Sequence, residues 1–521
     1  MTSSYGKLRR GFGRLAYSFD RLNVDLSSLL NKIARKESAI PHIFGILLIY
    51  MTIALMFPYV VSIIYQEDTR PWLFPILLSF LSGTMLLMRY RPPETTRPTE
   101  AMFVVATGWL ALTVMGAIPF VLHGMGVVDA LFETMSGFTT TGSSIMTDIE
   151  SWPKSILFWR SFTQWLGGAG VIMIFVTIFP MLGVGGRNLF KNEFPGLDVQ
   201  NFSMRIQEES RKFHYIYISL SGLQLGLLLL TGIGMFDSFC VMFSTMSTGG
   251  LSPHSASIGY YNSPVVEWII IVFMFMAGTN FYLHFQAMTT RNPRRYWNSS
   301  EFRVYVSIIM AATAIITFVL WGNEFSRLEE GVRTSMFHVI SILTSTGFVT
   351  TNFLTWDRAV IFLIFALMVI GGCTGSTAGG MKVARVYLSR AFISSALYKT
   401  VHPRSVFTVK IDGRSLSQVA MSSVMAMIMC YFATALIAVM VLVLLGIDPT
   451  TSLSAAVTSL SNAGPGLGEI GPSGSFGGLP DAAKMVLFFT MWAGRLEFIS
   501  VLVLFTPFFW RELLRFREKI V

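Results

Sequence analysis

The stretch ILLIYMTIALMFPYVVSII, residues 46–64, carries no charge over nineteen positions and cannot form the surface of a water-soluble domain. Comparable apolar stretches recur at about 72–90, 101–123, 155–182, 212–236, 264–288, 304–322, 359–390 (interrupted), 418–446 and 483–508. About 20 apolar residues in a helix cross the roughly 30 Å of hydrocarbon in a bilayer. Composition agrees: 13% of residues are charged, where a soluble domain carries roughly 25%. The pattern predicts an all-α polytopic membrane protein of ten main spans.

Charge sets the expected orientation. Residues 1–40 include Lys7, Arg9, Arg10, Arg14, Arg21, Lys32, Arg35 and Lys36. The apolar run that follows is too long for the core of a cleavable signal. These residues read as a basic cytoplasmic arm, lying on anionic membrane lipid or extending without a specific partner. Further basic clusters follow at Arg89–Arg97, Arg187–Lys212, Arg291–Arg303, Lys382–Arg414 and Arg511–Lys519. The segments between them carry Asp129, Glu133, Asp148, Glu150, Asp237, Glu324, Asp448, Glu469 and Asp481. By the positive-inside rule the basic set and both termini are cytoplasmic. The net charge of +10 is then a property of the inner face, and no nucleic-acid partner is implied. Cys240, Cys373 and Cys430 have no metal-binding spacing.

The outward segments contain a repeat: LFETMSGFTTTGSS, FCVMFSTMSTGGLS, MFHVISILTSTGFVT and LSAAVTSLSNAGPGLG. Aligned, they place Gly142, Gly249, Gly347 and Gly464 in one column, preceded by Thr140-Thr141, Ser247-Thr248, Ser345-Thr346 and Asn462-Ala463. Each cluster lies between two apolar spans, so the unit is span, short re-entrant pore helix, extended strand, span. Non-helical backbone reaches membrane depth only where it is buried in protein or lines water. Four such segments around a central pore meet that condition. Backbone carbonyls are what replaces the water shell of a dehydrated cation such as K⁺, and the angles that aim them inward suit glycine. Helix C-termini directed at the pore add negative dipole ends.

The chain therefore divides into a basic arm (1–40), two accessory helices (41–100), and four pore repeats at 101–211, 212–300, 301–415 and 416–521. The third repeat contains GGCTGSTAGG, residues 371–380. The helix entering it, Ala359–Ile370, is about 18 Å long, so this loop begins near mid-membrane, beneath the glycine segments. It is not a phosphate-binding loop: Gly375 and Gly380 are followed by Met381-Lys382-Val383, not G-K-[ST], and no strand precedes them. Likewise GLGEIG at 466–471 matches a dinucleotide fingerprint by letter alone. Arg495, in MVLFFTMWAGRLEFISVLVLF, lies near the centre of its span, where an arginine costs about 2.5–3.5 kcal/mol unless it faces water or a partner. Glu497 is a poor partner for it at i,i+2. Arg160 with Gln164, and Asn280 with His284, share helix faces and read mainly as interhelical hydrogen-bonding pairs.

These segments, with GGCTGSTAGGMKVAR, ILFWRSFTQWLGGAGVIM and MWAGRLEF, resemble the Trk/Ktr/HKT superfamily of potassium transporters, most nearly the bacterial TrkH/TrkG membrane subunit. The resemblance covers about residues 41–521. It implies a K⁺-selective filter built from the carbonyls of Thr140, Thr141, Gly142, Ser247, Thr248, Gly249, Ser345, Thr346, Gly347, Asn462, Ala463 and Gly464. It implies a gate at Gly371, Gly372, Gly375, Ser376, Thr377, Gly379, Gly380 and Arg495. It also implies a homodimer in the cell inner membrane, controlled by a cytosolic nucleotide-binding ring of the TrkA-like, regulator-of-potassium-conductance kind. No organic cofactor is expected on this chain, and K⁺ is the transported ion. No segment reads TVGYG, which suggests a shorter filter than that of tetrameric potassium channels. Gly142, which some sodium-preferring relatives replace by serine, is retained, while NAGPG in the fourth segment contains Pro465. Two other readings stay open: the K⁺-translocating subunit of an ATP-driven pump, and a Na⁺/K⁺-permeable relative. Channel and symport are not separated by sequence. An enzyme would need a nucleophile, a metal cluster or paired carboxylates, and no such motif is found.

Overall fold

A computed structural model describes residues 36–93, 97–177, 202–322, 324–402, 410–411, 414–415 and 418–515. Most of the basic arm, residues 178–201 and the end of the tail lie outside these residues. The helices are α1 (Ala39–Ile64), α2 (Arg70–Arg89), α3 (Pro98–Leu122), α4 (Val127–Phe138), α5 (Lys154–Thr177), α6 (Phe202–Leu230) and α7 (Met235–Met246). They continue as α8 (Pro264–Ala277), α9 (Phe281–Thr290), α10 (Arg294–Asn298), α11 (Ser300–Leu320), α12 (Leu328–Leu343), α13 (Arg358–Ile370) and α14 (Val383–Val401). The last are α15 (Gln418–Leu444), α16 (Pro449–Ser461), α17 (Asp481–Arg495), α18 (Ile499–Leu502) and α19 (Pro507–Arg515). The only strands among the described residues are two-residue pairs; in one, Lys36–Glu37 runs parallel to Tyr90–Arg91.

Among the described residues, six helices are long and apolar enough to cross a membrane: α1, α2, α3, α6, α11 and α15. Their outward faces are large and apolar, as lipid contact requires; Leu230, Phe318 and Leu444 are more than 80% exposed. Helices α1 and α2 form a hairpin through Gly45 and Gly83, where a β-carbon on either would lie 3.1 Å from the other's carbonyl oxygen. Small residues of this kind let two membrane helices approach closely, and hydroxyls join them; here Thr52 and Ser79 hydrogen-bond at 2.9 Å.

Several expected spans are not single rods. The stretch 264–288 is two helices, α8 and α9, bent by 96° at Gly278–Asn280. Residues 359–390 are α13 and α14, separated by the glycine-rich loop. The stretch 483–508 stops at Arg495, because Glu497 and Phe498 adopt left-handed backbone (φ 58° and 43°). Arg495 thus ends a helix rather than occupying the middle of one.

Candidate functional site

Four short helices, α4, α7, α12 and α16, have 12, 12, 16 and 13 residues, too few to span the hydrocarbon. Most residues of each are buried. Each packs against the helix before it, the helix after it and one more: α17 for α4, α5 for α7, α8 for α12, and α13 for α16.

All four end alike. Thr140, Thr248, Ser345 and Asn462 are left-handed (φ 53°, 55°, 57° and 51°). The next amide donates five residues back: Thr141 to Ser136 at 2.8 Å, Gly249 to Ser244 at 2.8 Å, Thr346 to Ser341 at 2.7 Å and Ala463 to Thr458 at 3.0 Å. This is the Schellman closure of a helix C-terminus, which satisfies one orphan carbonyl and turns the chain sharply out of the helix. A second positive-φ residue follows two positions on: Gly142 (81°), Gly250 (78°), Gly347 (81°) and Gly464 (79°).

The structure corrects the sequence alignment in the second segment. Gly250, not Gly249, is equivalent to Gly142, and the Ser247–Thr248–Gly249 assignment shifts to Thr248–Gly249–Gly250. The hydroxyls agree, since Ser244 donates to the Leu251 carbonyl (2.6 Å) as Ser341 does to that of Phe348 (2.7 Å). With two consecutive glycines, residue type gave no register; the backbone angles do.

These glycines meet one another. A β-carbon at Gly142 would strike the Gly249 carbonyl, and one at Gly250 the Thr346 carbonyl. At Gly347 it would lie 2.8 Å from the Ala463 carbonyl, and at Gly464 3.3 Å from that of Thr141. Each segment therefore touches the next in chain order, and the fourth touches the first. Asn462 Nδ2 donates to Thr141 Oγ1 (2.9 Å) and Ser143 Oγ to the Gly464 carbonyl (3.2 Å), joining the first and last segments.

Two α5 side chains brace this arrangement from behind. Arg160 pairs with Glu133 of α4 at 2.7 Å, both side chains essentially inaccessible. Glu133 also accepts from Ser144 Oγ (3.0 Å) and the Ile145 amide (2.9 Å), so one ion pair holds helix and following strand together. Gln164 donates to the Gly249 carbonyl (2.6 Å) and accepts from the Leu251 amide (3.1 Å). Glu133 was missed by sequence reasoning; an acid inside a short apolar helix was the available signal. Asn280 and His284 do not join this group: Asn280 caps α9 through the Tyr282 amide (2.8 Å), and His284 bonds Tyr296 Oη (2.7 Å) and the Met276 carbonyl (2.9 Å).

The loop between α13 and α14 lies at the C-terminal ends of the short helices. Thr377 Oγ1 donates to the Met246 carbonyl at the end of α7 (3.2 Å), and the Gly380 amide to that of Ser461 at the end of α16 (2.8 Å). The Gly379 amide donates to Ser345 Oγ (2.5 Å). The break between α8 and α9 supports it, since Cys373 donates to the Gly278 carbonyl (2.9 Å) and Phe281 to that of Gly375 (3.1 Å). Glu301 of α11 accepts from the Thr374 amide (2.6 Å). Gly371, Gly375 and Gly380 supply positive φ (78°, 70° and 75°). Gly372, Ser376, Thr377 and Gly379 are buried. The loop is densely tied to the helices around it.

Arg495 Nη1 donates to the Thr377 carbonyl (2.9 Å), while its Nε and Nη2 have no hydrogen-bond partner among the described residues. Glu497 pairs with Arg385 of α14 (2.7 Å), and Lys382 Nζ donates to the Ala378 carbonyl. Lys382 and Arg385 are 4% and 6% exposed; they hold the loop rather than present it to the cytosol. Arg385, Arg495 and Glu497 line a small cavity with Gly380, Tyr431 and Asn462.

Long apolar helices around short half-depth helices, whose C-termini converge on touching extended segments, define a multi-pass helical membrane protein with the framework of an ion transporter. The chain belongs to the TrkH family of cation transport proteins, whose family model matches residues 74–512. That family comprises transporters rather than enzymes. The chain is 34% identical over 481 residues to the Trk system potassium uptake protein TrkH of Escherichia coli (strain K12), covering 91% of this chain and 99% of that protein. It is 35% identical over 480 residues to TrkH of Halomonas elongata, covering 90% and 98%. The crystal structure of the potassium transporter TrkH from Vibrio parahaemolyticus superposes with a TM-score of 0.83 at 33% identity, covering 91% of this chain and 99% of that one.

Proposed function

We propose that this chain takes up K⁺ across the cell inner membrane as the ion-conducting subunit of a Trk-type system. The observation that carries the reading is the convergence of four identically closed helix C-termini on four mutually touching, glycine-bearing segments. Four segments in contact offer carbonyl oxygens from all sides, and four helix ends favour a cation there. On this reading the chain is two accessory spans (41–100) and four pore repeats (101–211, 212–300, 301–415, 416–521) about one axis, with residues 1–40 and both termini cytoplasmic. The filter is Thr140–Gly142, Thr248–Gly250, Ser345–Gly347 and Asn462–Gly464.

Gating falls to residues 371–380 and Arg495. In the conformation described, the loop takes up carbonyls at the ends of α7 and α16 that would otherwise face a permeating ion. Arg495 adds positive charge beside it. A conducting state requires those hydrogen bonds to break, and a cytosolic nucleotide-binding ring acting on a homodimer is the partner that would drive it. At 100 mV the membrane potential contributes about 2.3 kcal/mol per monovalent cation moved inward, so no hydrolysis by this chain is needed.

The test is ⁸⁶Rb⁺ uptake into proteoliposomes containing the chain alone and the Arg495→Ala variant. Uptake blocked by K⁺ but weakly by Na⁺, without ATP, supports a K⁺-selective pore. Equal block by Na⁺ overturns the selectivity. Silence in both proteins turns the reading toward a subunit that needs an ATP-driven partner.

A further inference from the structure

A cavity of about 350 Å³ opens between α1, α3 and α5. Its walls run from Ile43 to Ala54 on α1, from Val104 to Leu112 on α3, and from Leu166 to Gly170 on α5. Helices α1 and α3 are long and apolar enough to cross a membrane, and the lining is almost wholly apolar. Tyr50, on its rim, is 65% exposed, so the cavity communicates with the surroundings of the helices rather than with the interior alone. Gly108, Gly167 and Gly170 are among its lining residues. At Gly170 a β-carbon would only reach ordinary contact with Trp109, at 3.6 Å.

The two ends of the cavity differ. At the deep end lies Phe138, the last residue of α4, against which α1 and α3 pack through Met51 and Gly116. Gly167 presses on the Phe138 carbonyl so closely that no β-carbon fits. The other end rises toward the starts of α1 and α3. There Lys36, Arg89, Arg91 and Arg97 are exposed around the Lys36–Glu37 and Tyr90–Arg91 strand pair. Glu37 pairs with Arg91 (2.6 Å) and Glu100 accepts from the Arg97 amide (3.3 Å), so among the described residues of the ledge four basic side chains stand against two acids.

Length decides what fits. Ile43 to Ala54 spans about 16 Å of helix, close to half of the roughly 30 Å hydrocarbon core. Ile43 and Val104 sit about 7–10 Å of helix beyond the basic ledge, the interval between a headgroup and the start of its chains. An apolar slot one leaflet deep with a cationic rim matches an anionic phospholipid, and basic side chains at this level attract anionic headgroups. We propose that this cavity binds one acyl chain of an anionic phospholipid, with the headgroup on the Lys36/Arg89/Arg91/Arg97 ledge and the chain tip against Phe138. The lipid then buttresses the helix end from which the first glycine segment departs.

The full chain in proteoliposomes, photolabelled with phosphatidylglycerol carrying a mid-chain diazirine, tests this by peptide mapping. Label is expected on the peptides containing residues 43–54 and 104–112, exceeding that from the matching phosphatidylcholine about fivefold, the effect of one basic residue near an anionic lipid. A Gly170→Leu/Val105→Trp variant fills the slot and should lose this label while keeping label elsewhere on the chain. Lys36→Gln/Arg89→Gln should lose the preference between lipids without losing the label. No label on these peptides in the unaltered chain overturns the proposal, whether or not the filled variant folds. Equal labelling by both lipids overturns the headgroup assignment, and undiminished label in a filled variant that elutes as the native species overturns the slot.

Discussion

The glycine segments and the loop 371–380 are both non-helical backbone buried between membrane helices, yet they are built on different terms. The segments occur four times with one geometry and four different sequences. Thr140, Thr248, Ser345 and Asn462 all take the same left-handed turn, so helix closure, not side-chain identity, sets the shape. The loop occurs once among the described residues, and its hydrogen bonds reach α7, α8, α9, α11, α16 and α17. A shape closed by local bonds tolerates sequence drift. A shape held by bonds to six other helices can be released by moving any of them, which suits a gate and not a filter.

The comparison breaks first at the brace behind the segments. Glu133→Gln leaves Arg160 buried without its counter-charge, and losing one partner of a buried pair costs about 3–5 kcal/mol. Thermal unfolding should fall sharply, and an unchanged midpoint would mean the segments do not depend on that pair. Deleting Gly375–Gly379 should do the reverse to function. Rb⁺ flux should rise by about tenfold or more, which corresponds to about 1.4 kcal/mol of barrier, and depend less on any cytosolic partner. Regulation that survives the deletion would move the gate elsewhere.

The register gives a finer test. Gly250→Ser and Gly347→Ser should each lower K⁺ over Na⁺ discrimination by a similar factor, because a β-carbon in left-handed backbone costs about 1–2 kcal/mol and meets a neighbouring carbonyl. Ser247→Ala should leave selectivity near the parent value. The opposite ranking would restore the alignment on Gly249. The smallest effect is expected from Arg495→Ala, which removes one hydrogen bond to the loop and one charge. Basal flux should rise by a few-fold, on the scale of about 1 kcal/mol for a hydrogen bond, and less than with the deletion.

Much of this architecture was legible in order along the chain. Apolar length marked the spans, small polar clusters ending in glycine marked the segments, and five glycines in ten residues marked the break after α13. Those features follow from local physics: hydrocarbon thickness, the cost of unsatisfied backbone in lipid, and the angles only glycine takes freely. Glu497 illustrates what was not legible. Its spacing excluded Arg495 correctly, but nothing local pointed to Arg385, 112 positions away.

The sequence by itself determined that this is a helical membrane protein with four equivalent glycine clusters and one interrupted span, because each property is written within about twenty residues. Only the tertiary structure decided which glycine of the second cluster occupies the shared position, that Glu133 and Gln164 brace the segments, and that the loop lies on the ends of α7 and α16. Those are choices between residues of the same type or contacts between distant helices. Their energies arise only when the helices are packed.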